Sequence, residues 1–468
     1  MRITFCGGAQ TVTGSKYLIE TEGYKLLLDC GLFQGKRDVA NLANRQLPFD
    51  ATSVSAVILS HAHADHCGML PVLVKQGFAG KIYCTAATAD IATFILQDAA
   101  MIQEQDCEYF NKHLPEGGQP IAPTYTLQDA KKVPSHFAPA PYFRLSGQWT
   151  HLAPGVRFKF YDAGHILGSV ITLLEITESG EVKRLIFTGD LGRHFLPILR
   201  DPEFVQESAG AIIMEATYGD RLHRPIGDLE GELETIIAKA LQNKSKIIVP
   251  AFSLGRTQEL IYLLHKLTDE GKIPALPIFV DSPLAEKITR VFNTYTSDFD
   301  EQFWEDFGEK GEKAFIFDNL VTVRSVQESK EINARPGPCI VIAGSGMCEG
   351  GRVLHHLKNT IYDANDVVLI TGYQAEHTLG RKLIEGISPV KIFGRPYDVR
   401  AKIITLNELS AHADQNDLLN YVKNVKDLKQ VFLVHTEPKQ AGVFKELLAE
   451  ELPKISVDIP KPLTSQDM

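Results

Sequence analysis

The segment His61-Ala-His63-Ala-Asp65-His66 combines three imidazoles and one carboxylate within six residues. It directly follows the apolar run VSAVILS, so a buried strand should end where these polar side chains begin. Alternate side chains on extended backbone share a face, and His61 and His63 can therefore point at one ion. Asp65 and His66, past the bend, would face a second ion. Imidazole with carboxylate suits Zn²⁺, and a chance run of surface histidines explains so dense a segment poorly.

Three more candidate ligands follow other apparent strands. KFYDAGHILGS places His165 after VRFKFYDA, FTGDLGR places Asp190 after RLIFT, and QVFLVHTEP places His435 after QVFLV. Each residue alone is better explained as a turn residue or a hydrogen-bonded side chain. Their joint occurrence at strand ends favours a metal site.

The first half of the chain consists mainly of short strand patterns bounded by Gly, Asp and Pro. These segments are RITFCGG, YKLLLDCG, VSAVILS, KIYCTA, VRFKFYDAG, ITLLEIT, RLIFTGD and AIIMEAT. One long helical stretch, ATADIATFILQDAAMIQEQDCEYFNKH, interrupts them. Such a pattern is typical of a strand-rich domain.

After about Thr217 the pattern changes to strand-then-helix units, which predicts a parallel sheet with crossover helices. IIVPAF precedes a helix that Ser253 can cap, and PIFVDS precedes a helix with Pro283 in its first turn. Short strands return after Gly394, from AKIITLNEL to QVFLVH. We therefore predict one domain in two segments, 1–216 and 395–468, split by an inserted domain at 217–394.

Length and composition limit the classes of protein. A chain of 468 residues exceeds what one core usually serves, so two or three domains are expected. No signal-peptide pattern opens the chain and no window reaches about 18 uninterrupted apolar residues, which predicts a soluble, cytoplasmic protein without a membrane partner. Seven scattered cysteines without a CxxC pair predict reduced thiols. A net charge of −10 opposes non-specific nucleic-acid binding, although bound cations would offset it locally.

With these motifs the chain resembles the metallo-β-lactamase superfamily and specifically its β-CASP ribonucleases, which include RNase J and the endonuclease of messenger-RNA 3′-end processing. GGAQTVTGSKYLIE and LLLDCG are similar to the first motif, with Asp29 as its acidic residue. SHAHADHCGMLP, AGHILGS and FTGDLG are similar to the next three. The resemblance covers essentially the whole chain. It implies an α/β fold, namely a metallo-β-lactamase αββα sandwich with an inserted α/β β-CASP domain.

The resemblance also implies two Zn²⁺ per chain. One ion would bind His61, His63 and His165, and the other would bind Asp65, His66 and His435. Asp190 would bridge the ions, a hydroxide shared by them would be the nucleophile, and Asp29 would orient a ligand or that water. Mn²⁺ or Fe²⁺ are open alternatives, because the affinity order alone does not select the ion in a cell.

Three further motifs indicate the nuclease branch. Glu215 in IIMEATYGDRLHRP resembles motif A, His412 in ELSAHADQNDLL resembles motif B, and His435 resembles motif C, followed by Thr436 where the family often has Gly. A motif C histidine favours RNA, here single-stranded RNA, over DNA. His412 is the best candidate for the general acid, kept protonated by Glu215. The predicted catalytic residues are Asp65, His412, Glu215 and Asp29.

Substrate contacts are predicted in the insertion. Backbone amides of Ser345, Gly346 and Met347 in AGSGMCEGGR can cradle a phosphate, but packing is the better explanation of such a glycine-rich turn. Arg256 and Arg352 are further candidates for phosphate contacts, with surface solvation as the alternative. His355, His356 and His377 have no motif around them and are read as surface residues.

Alternatives to a metal-dependent ribonuclease stay open at this point. A small-ester or other phosphodiester hydrolase would use the same metal centre, and a non-catalytic RNA-binding subunit would usually have lost ligands. An endonuclease is favoured slightly over an exonuclease, because no extension like that of RNase J follows His435. Whether the chain forms a homodimer is left open.

Overall fold

The computed structural model describes residues 1–35, 40, 42–114, 118–223, 229–308, 314–372, 374–375, 377–406 and 409–468. The chain forms two compact units. The first unit comprises Met1–His194, Asp201–Leu222 and His412–Met468, and the second comprises Phe195–Arg200 and His223–Ala411. These units differ from the predicted division mainly at Lys402–Thr405, which lies beyond residue 394 yet pairs with Val367–Ile370 in the second unit. A strand pattern does not reveal which sheet the strand joins.

The first sheet of the first unit is mixed and, in the described part of the chain, has seven strands. Their order across the sheet is Ser465–Asp467, Arg2–Gly7, Lys16–Thr21, Tyr24–Leu28, Ala56–Ile58, Lys81–Cys84 and Phe137–Pro139. Pairing is antiparallel as far as Tyr24–Leu28 and parallel from there onward. The strand Lys16–Thr21 was not predicted, because its segment KYLIET lacks a regular polar and apolar alternation.

The second sheet of this unit likewise has seven strands among the described residues. Their order is Ser456–Asp458, Gln430–Val434, Ala211–Glu215, Glu181–Phe187, Val170–Glu178, Val156–Asp162 and Thr150–Ala153. The four strands from Ser456–Asp458 to Glu181–Phe187 run parallel to one another. All three chain segments of the first unit therefore contribute strands to this sheet.

The core of the first unit lies between its two sheets. Phe5 and Tyr17 of the first sheet meet Phe432 and Phe187 of the second, with ring centroids 5.3 Å and 5.5 Å apart. Apolar residues of the last two long helices cover the outer face of the second sheet. The helices are Ala64–Cys67, Leu70–Lys75, Ala86–Lys112, Leu127–Ala130, Phe143–Ser146, Gln415–Lys423 and Pro438–Glu451, with 3₁₀ turns Ala51–Ser53 and Val133–His136. Helices thus pack outside two facing sheets.

The second unit is built on an all-parallel sheet, which within the described ranges has six strands. Their order is Leu320–Thr322, Ile278–Asp281, Cys339–Ala343, Lys246–Pro250, Val367–Ile370 and Lys402–Thr405. Its helices are Leu229–Gln242, Arg256–Asp269, Pro283–Thr294, Glu301–Phe307, Val326–Ala334, Val353–Thr360 and Leu379–Ile384, with a 3₁₀ turn Thr296–Asp298. Val390–Ile392 and Arg395–Tyr397 form a small hairpin. The predicted strand-then-helix pattern is confirmed.

Two details of helix capping in this unit were also predicted. Pro283 opens its helix as predicted, and Ser282 caps that helix by accepting from the Ala285 amide. The predicted cap at Ser253 is wrong. Gly255 occupies the cap position of Arg256–Asp269, while the Ser253 hydroxyl hydrogen-bonds to Ser282 Oγ at 2.9 Å.

Two further features concern the cysteines and the helices. All seven cysteines are free thiols. Across the part of the chain that the structure describes, no helix has both the length and the apolar character needed to span a bilayer.

Candidate metal centre

Parallel strands bring their carboxyl ends to one edge of a sheet, and the predicted ligands lie at such ends. In the first sheet, Asp29 follows Tyr24–Leu28 and His61 follows Ala56–Ile58. In the second sheet, Asp190, Glu215 and His435 lie at the ends of three adjacent parallel strands. Both sheets of the first unit therefore deliver histidine and carboxylate side chains to one place.

Seven of the predicted residues form what we call the metal-ligand cluster: His61, His63, Asp65, His66, His165, Asp190 and His435. On one side, His63 Nδ1 lies 3.0 Å from His61 Nε2 and 3.2 Å from His165 Nε2. Nitrogens bound to one tetrahedral Zn²⁺ at about 2.05 Å would lie about 3.3 Å apart. The three ring nitrogens are thus spaced as ligands of a single ion, and Asp190 Oδ2 lies 3.5 Å from His61 Nε2.

On the other side of the cluster, His435 Nε2 lies 3.3 Å from Asp65 Oδ2, and His66 Nε2 lies 3.2 Å from Asp190 Oδ1. His66 Nε2 and Asp190 Oδ1 are buried and face each other, and neither has a further hydrogen-bond partner. Buried polar atoms are nearly always satisfied, and a bound cation would satisfy both of these. The residues present therefore fit a metal centre in which Asp190 faces both groups of ligands.

The electrostatics of the histidines match this arrangement. Burial lowers the pKa of His61 well below its ordinary value and lowers the pKa of His63 to about 4. Both rings are therefore neutral near pH 7, as metal ligands must be. Burial also opposes the charged form of His66, but Asp190 and Asp29 outweigh it and raise its pKa. A cation at Nε2 of His66 would take the place of that proton.

Asp29 and Ser60 contact the Nδ1 atoms of His66 and His61 respectively. The Asp29 carboxylate accepts from the Ser60 amide at 2.7 Å and from its hydroxyl at 2.8 Å, and it lies 2.7 Å from His66 Nδ1. Ser60 Oγ also lies 3.0 Å from His61 Nδ1. Asp29 adopts a left-handed φ of 58°, a strained conformation for a side-chain-bearing residue. We did not predict Ser60, although its place directly before the first histidine was a usable signal.

Glu215 and His412 meet beside the metal-ligand cluster although they are 197 residues apart in the chain. His412 Nδ1 lies 2.9 Å and 3.1 Å from the two Glu215 oxygens, and the Leu191 amide donates to Glu215 Oε1 at 2.7 Å. Burial opposes protonation of His412, but Glu215 outweighs it and raises the pKa of His412 to about 9. The His412 side chain is 21% exposed, so a protonated imidazole has access to a substrate.

The predicted substrate contacts all lie in the second unit, where some of their side chains and backbone carbonyls have partners. Arg256 forms an ion pair with Glu259. Ser345 Oγ accepts from the amides of Glu349 and Gly350. The carbonyls of Gly346 and Met347 accept from Gln374 and Gly380 respectively. Their roles in phosphate binding stay predictions.

Arg352, the last predicted contact, belongs to a second buried group, which we call the Asp281 cluster: Asp281, Ser329, Asn333, Arg352 and His356. Asp281 bonds to Arg352 through Oδ1, and Oδ2 accepts from Ser329 and His356 at 2.5 Å and 2.7 Å. His356 was expected at the surface but is fully buried. Its helix Val353–Thr360 turns this residue toward the sheet, which a sequence with two adjacent histidines does not reveal.

Comparison with known families covers most of the chain. Residues 11–251 match the metallo-beta-lactamase superfamily, residues 257–383 match the Beta-Casp domain, and residues 396–460 match the Zn-dependent metallo-hydrolase RNA specificity domain. The three matches follow one another along the chain. They include the segments that carry the metal-ligand cluster and His412.

Curated relatives match over almost their full length or over most of it. The chain is 34% identical to "Ribonuclease TTHA0252" of Thermus thermophilus, over 96% of each chain. It is 30% identical to "RNase J-like protein" of Methanocaldococcus jannaschii, over 98% of this chain and 97% of that one. It is 29% identical to "Transcription termination factor FttA" of the same organism, over 95% of this chain and 68% of that one.

A solved structure has the same fold at low sequence identity. A protein of unknown function from Enterococcus faecalis V583 aligns over 99% of both chains with a TM-score of 0.55 and 13% identity. This likeness concerns the fold alone.

Proposed function

The chain belongs to the β-CASP family of metallo-β-lactamase-fold hydrolases, and from that premise we propose that it is a zinc-dependent ribonuclease that cuts single-stranded RNA. The observation that carries the proposal is the metal-ligand cluster with the Glu215–His412 pair beside it. Two relatives that match over nearly the full chain are named ribonuclease or RNase J-like. An RNA specificity domain matches the segment that contains both His412 and His435.

We propose two zinc ions per chain. His61, His63 and His165 would hold one, Asp65, His66 and His435 would hold the other, and Asp190 would contact both. When bound, the ions supply positive charge that activates a water molecule and offsets the charge of a phosphodiester. Asp29 and Ser60 keep the ligand rings oriented through their Nδ1 atoms.

The protein's own contribution to bond breaking is a proton. Hydrolysis adds water at phosphorus and breaks the bond to the 3′ oxygen, which must gain a proton as it leaves. His412 is protonated near neutral pH because Glu215 raises its pKa. With its Nδ1 bound to Glu215, His412 presents Nε2–H to the leaving oxygen as general acid. The products are a 5′-phosphate and a 3′-hydroxyl.

We further propose internal cleavage. The test is a comparison of a circular RNA with a linear RNA of the same sequence, labelled at its 5′ end in one sample and at its 3′ end in another. Wild type is measured beside His63→Ala and His412→Ala, with metal content determined on each preparation. An endonuclease opens the circle, whereas an exonuclease leaves it intact and shortens the linear RNA.

The expected result is cleavage by wild type that both variants lose, with zinc reduced only in His63→Ala. Because general acids contribute about 100-fold to 10,000-fold, His412→Ala should lose that factor in kcat with zinc retained. A wild type that carries two zinc ions yet leaves every RNA intact would refute the proposal. Small esters and other phosphodiesters would then be the substrates to test, and RNA binding without cleavage would indicate a non-catalytic subunit.

A further inference from the structure

Thr217 lies two residues beyond Glu215, the last residue of the strand Ala211–Glu215, and its hydroxyl contacts His435. Thr217 Oγ1 lies 3.1 Å from the carbonyl oxygen of His435 and 3.2 Å from Nδ1 of the same residue. Both distances are within hydrogen-bond range. One hydroxyl thus contacts both the backbone and the ring of a candidate ligand.

The chemistry of these three atoms determines where the proton on the ring resides. A threonine hydroxyl has one hydrogen to donate, and a carbonyl oxygen can only accept. If the Thr217 hydroxyl donates to the carbonyl of His435, its oxygen must accept from His435 Nδ1. Nδ1 then carries the ring hydrogen, and Nε2 keeps its lone pair. His435 Nε2 lies 3.3 Å from Asp65 Oδ2, and both atoms are candidate ligands of the same ion.

The backbone around these residues is held in one conformation. His435 adopts a left-handed φ of 46°, which costs a non-glycine residue free energy. Its amide donates to the Gly8 carbonyl at 2.7 Å. The Thr436 hydroxyl donates to the Ala216 carbonyl at 2.8 Å, while Thr217 donates to His435 in the opposite direction. These reciprocal bonds join the ends of the adjacent parallel strands Ala211–Glu215 and Gln430–Val434.

We propose that Thr217 is a positioning residue for the metal centre, which orients His435 and selects the tautomer whose Nε2 binds the ion. The competing partner of Nδ1 is Asp190 Oδ1, at 3.6 Å too distant for a hydrogen bond. Glu215 and Thr217 are two residues apart. Glu215 therefore orients the ring of His412, and Thr217 orients the ring of His435. This inference rests on the proposed metal centre and not on which substrate is cut.

The test compares Thr217→Val, which keeps the shape and removes the hydroxyl, with Thr217→Ser, which keeps the hydroxyl. Metal-free protein is titrated with Co²⁺, whose visible absorption reports occupancy of each site. Loss of a side chain that orients a ligand typically weakens metal binding about 10-fold to 100-fold. We expect that loss for one of two Co²⁺ equivalents in Thr217→Val and binding within about 3-fold of wild type in Thr217→Ser.

Equal affinities in Thr217→Val and wild type would overturn the proposal, as would a Thr217→Ser variant as weak as the valine variant. Nitrogen-15 NMR of histidine-labelled, zinc-loaded wild type gives a second test that needs no folded variant at position 217. The ring of His435, assigned by comparison with His435→Asn, should carry its hydrogen on Nδ1. A hydrogen on Nε2 would refute the inference. Neither measurement uses RNA, so failure of the proposed ribonuclease activity would be seen separately.

Discussion

Each compact unit contains a buried group of histidine and aspartate, and the two groups differ in how their polar atoms are satisfied. In the Asp281 cluster both carboxylate oxygens and both ring nitrogens of His356 have hydrogen-bond partners. In the metal-ligand cluster, ring nitrogens face other ring nitrogens, and the buried atoms His66 Nε2 and Asp190 Oδ1 have no partner apart from each other. Residue types alone therefore do not distinguish a structural cluster from a site for a cation. The distinction is whether the buried polar atoms already have hydrogen-bond partners.

The same substitution in both clusters should have its largest effect on zinc binding and RNA cleavage. Asp190→Asn should lower the zinc content and reduce RNA cleavage about a thousandfold or more. Bound metal ions stabilise the charge of the transition state by several kcal/mol, and a loss of about 4 kcal/mol corresponds to an about thousandfold lower rate. Asp281→Asn should leave two zinc ions per chain. Metal analysis and initial cleavage rates on the two purified variants check this. If Asp281→Asn also lost zinc, the distinction between the clusters would be wrong.

The two substitutions should have the opposite order of effect on the free energy of unfolding of the second unit. Asp281→Asn leaves Arg352 and the buried His356 without their carboxylate, and breaking such a pair should cost the second unit about 3 kcal/mol in free energy of unfolding. The chain has two tryptophans, of which Trp304 lies in the second unit. Urea unfolding followed by Trp304 fluorescence in a Trp149→Phe background therefore measures that unit. Asp190→Asn, in the same background, should leave this transition unchanged.

The stabilisation by Asp281 should also depend on pH. Burial raises the pKa of this carboxyl, but its bonds to His356, Ser329 and Arg352 outweigh burial, and the net pKa is lowered. A carboxyl with a lowered pKa in the folded state contributes stability above its unfolded pKa of about 3.9 and loses it as the pH falls. The difference between wild type and Asp281→Asn should thus be largest near pH 7 and shrink towards pH 3. A difference that grows on acidification would contradict this account.

The contrast between the clusters also shows what a sequence can and cannot reveal. Candidate ligands such as His61 and Asp190 were predictable because each follows a recognisable strand, and parallel strands end together. The roles of Ser60 and Thr217 were not, since they depend on which ring nitrogen a hydroxyl meets across segments distant in sequence. Likewise, the pattern of Lys402–Thr405 predicts a strand but not the sheet that it joins.

The smallest expected effect concerns a hydroxyl behind the metal-ligand cluster. Ser60 Oγ donates to Asp29 Oδ2, so it accepts from His61 Nδ1 and leaves His61 Nε2 free for an ion. Ser60→Ala removes that support and should weaken zinc binding about 10-fold, near the lower limit for residues that orient a ligand. Competition with a chromophoric chelator measures the affinity.

Ser345→Ala is the matched control for Ser60→Ala, because the Ser345 hydroxyl also accepts from its neighbours but lies in the second unit, where both of its partners are backbone amides. Zinc affinity should not change in this variant. Equal affinities in Ser60→Ala and wild type would mean that Asp29 and the surrounding packing orient His61 without the hydroxyl. The two clusters would then differ only in the side chains that face the ion. A hydrogen bond to Nδ1 of a histidine affects metal binding only where Nε2 of the same ring must stay unprotonated.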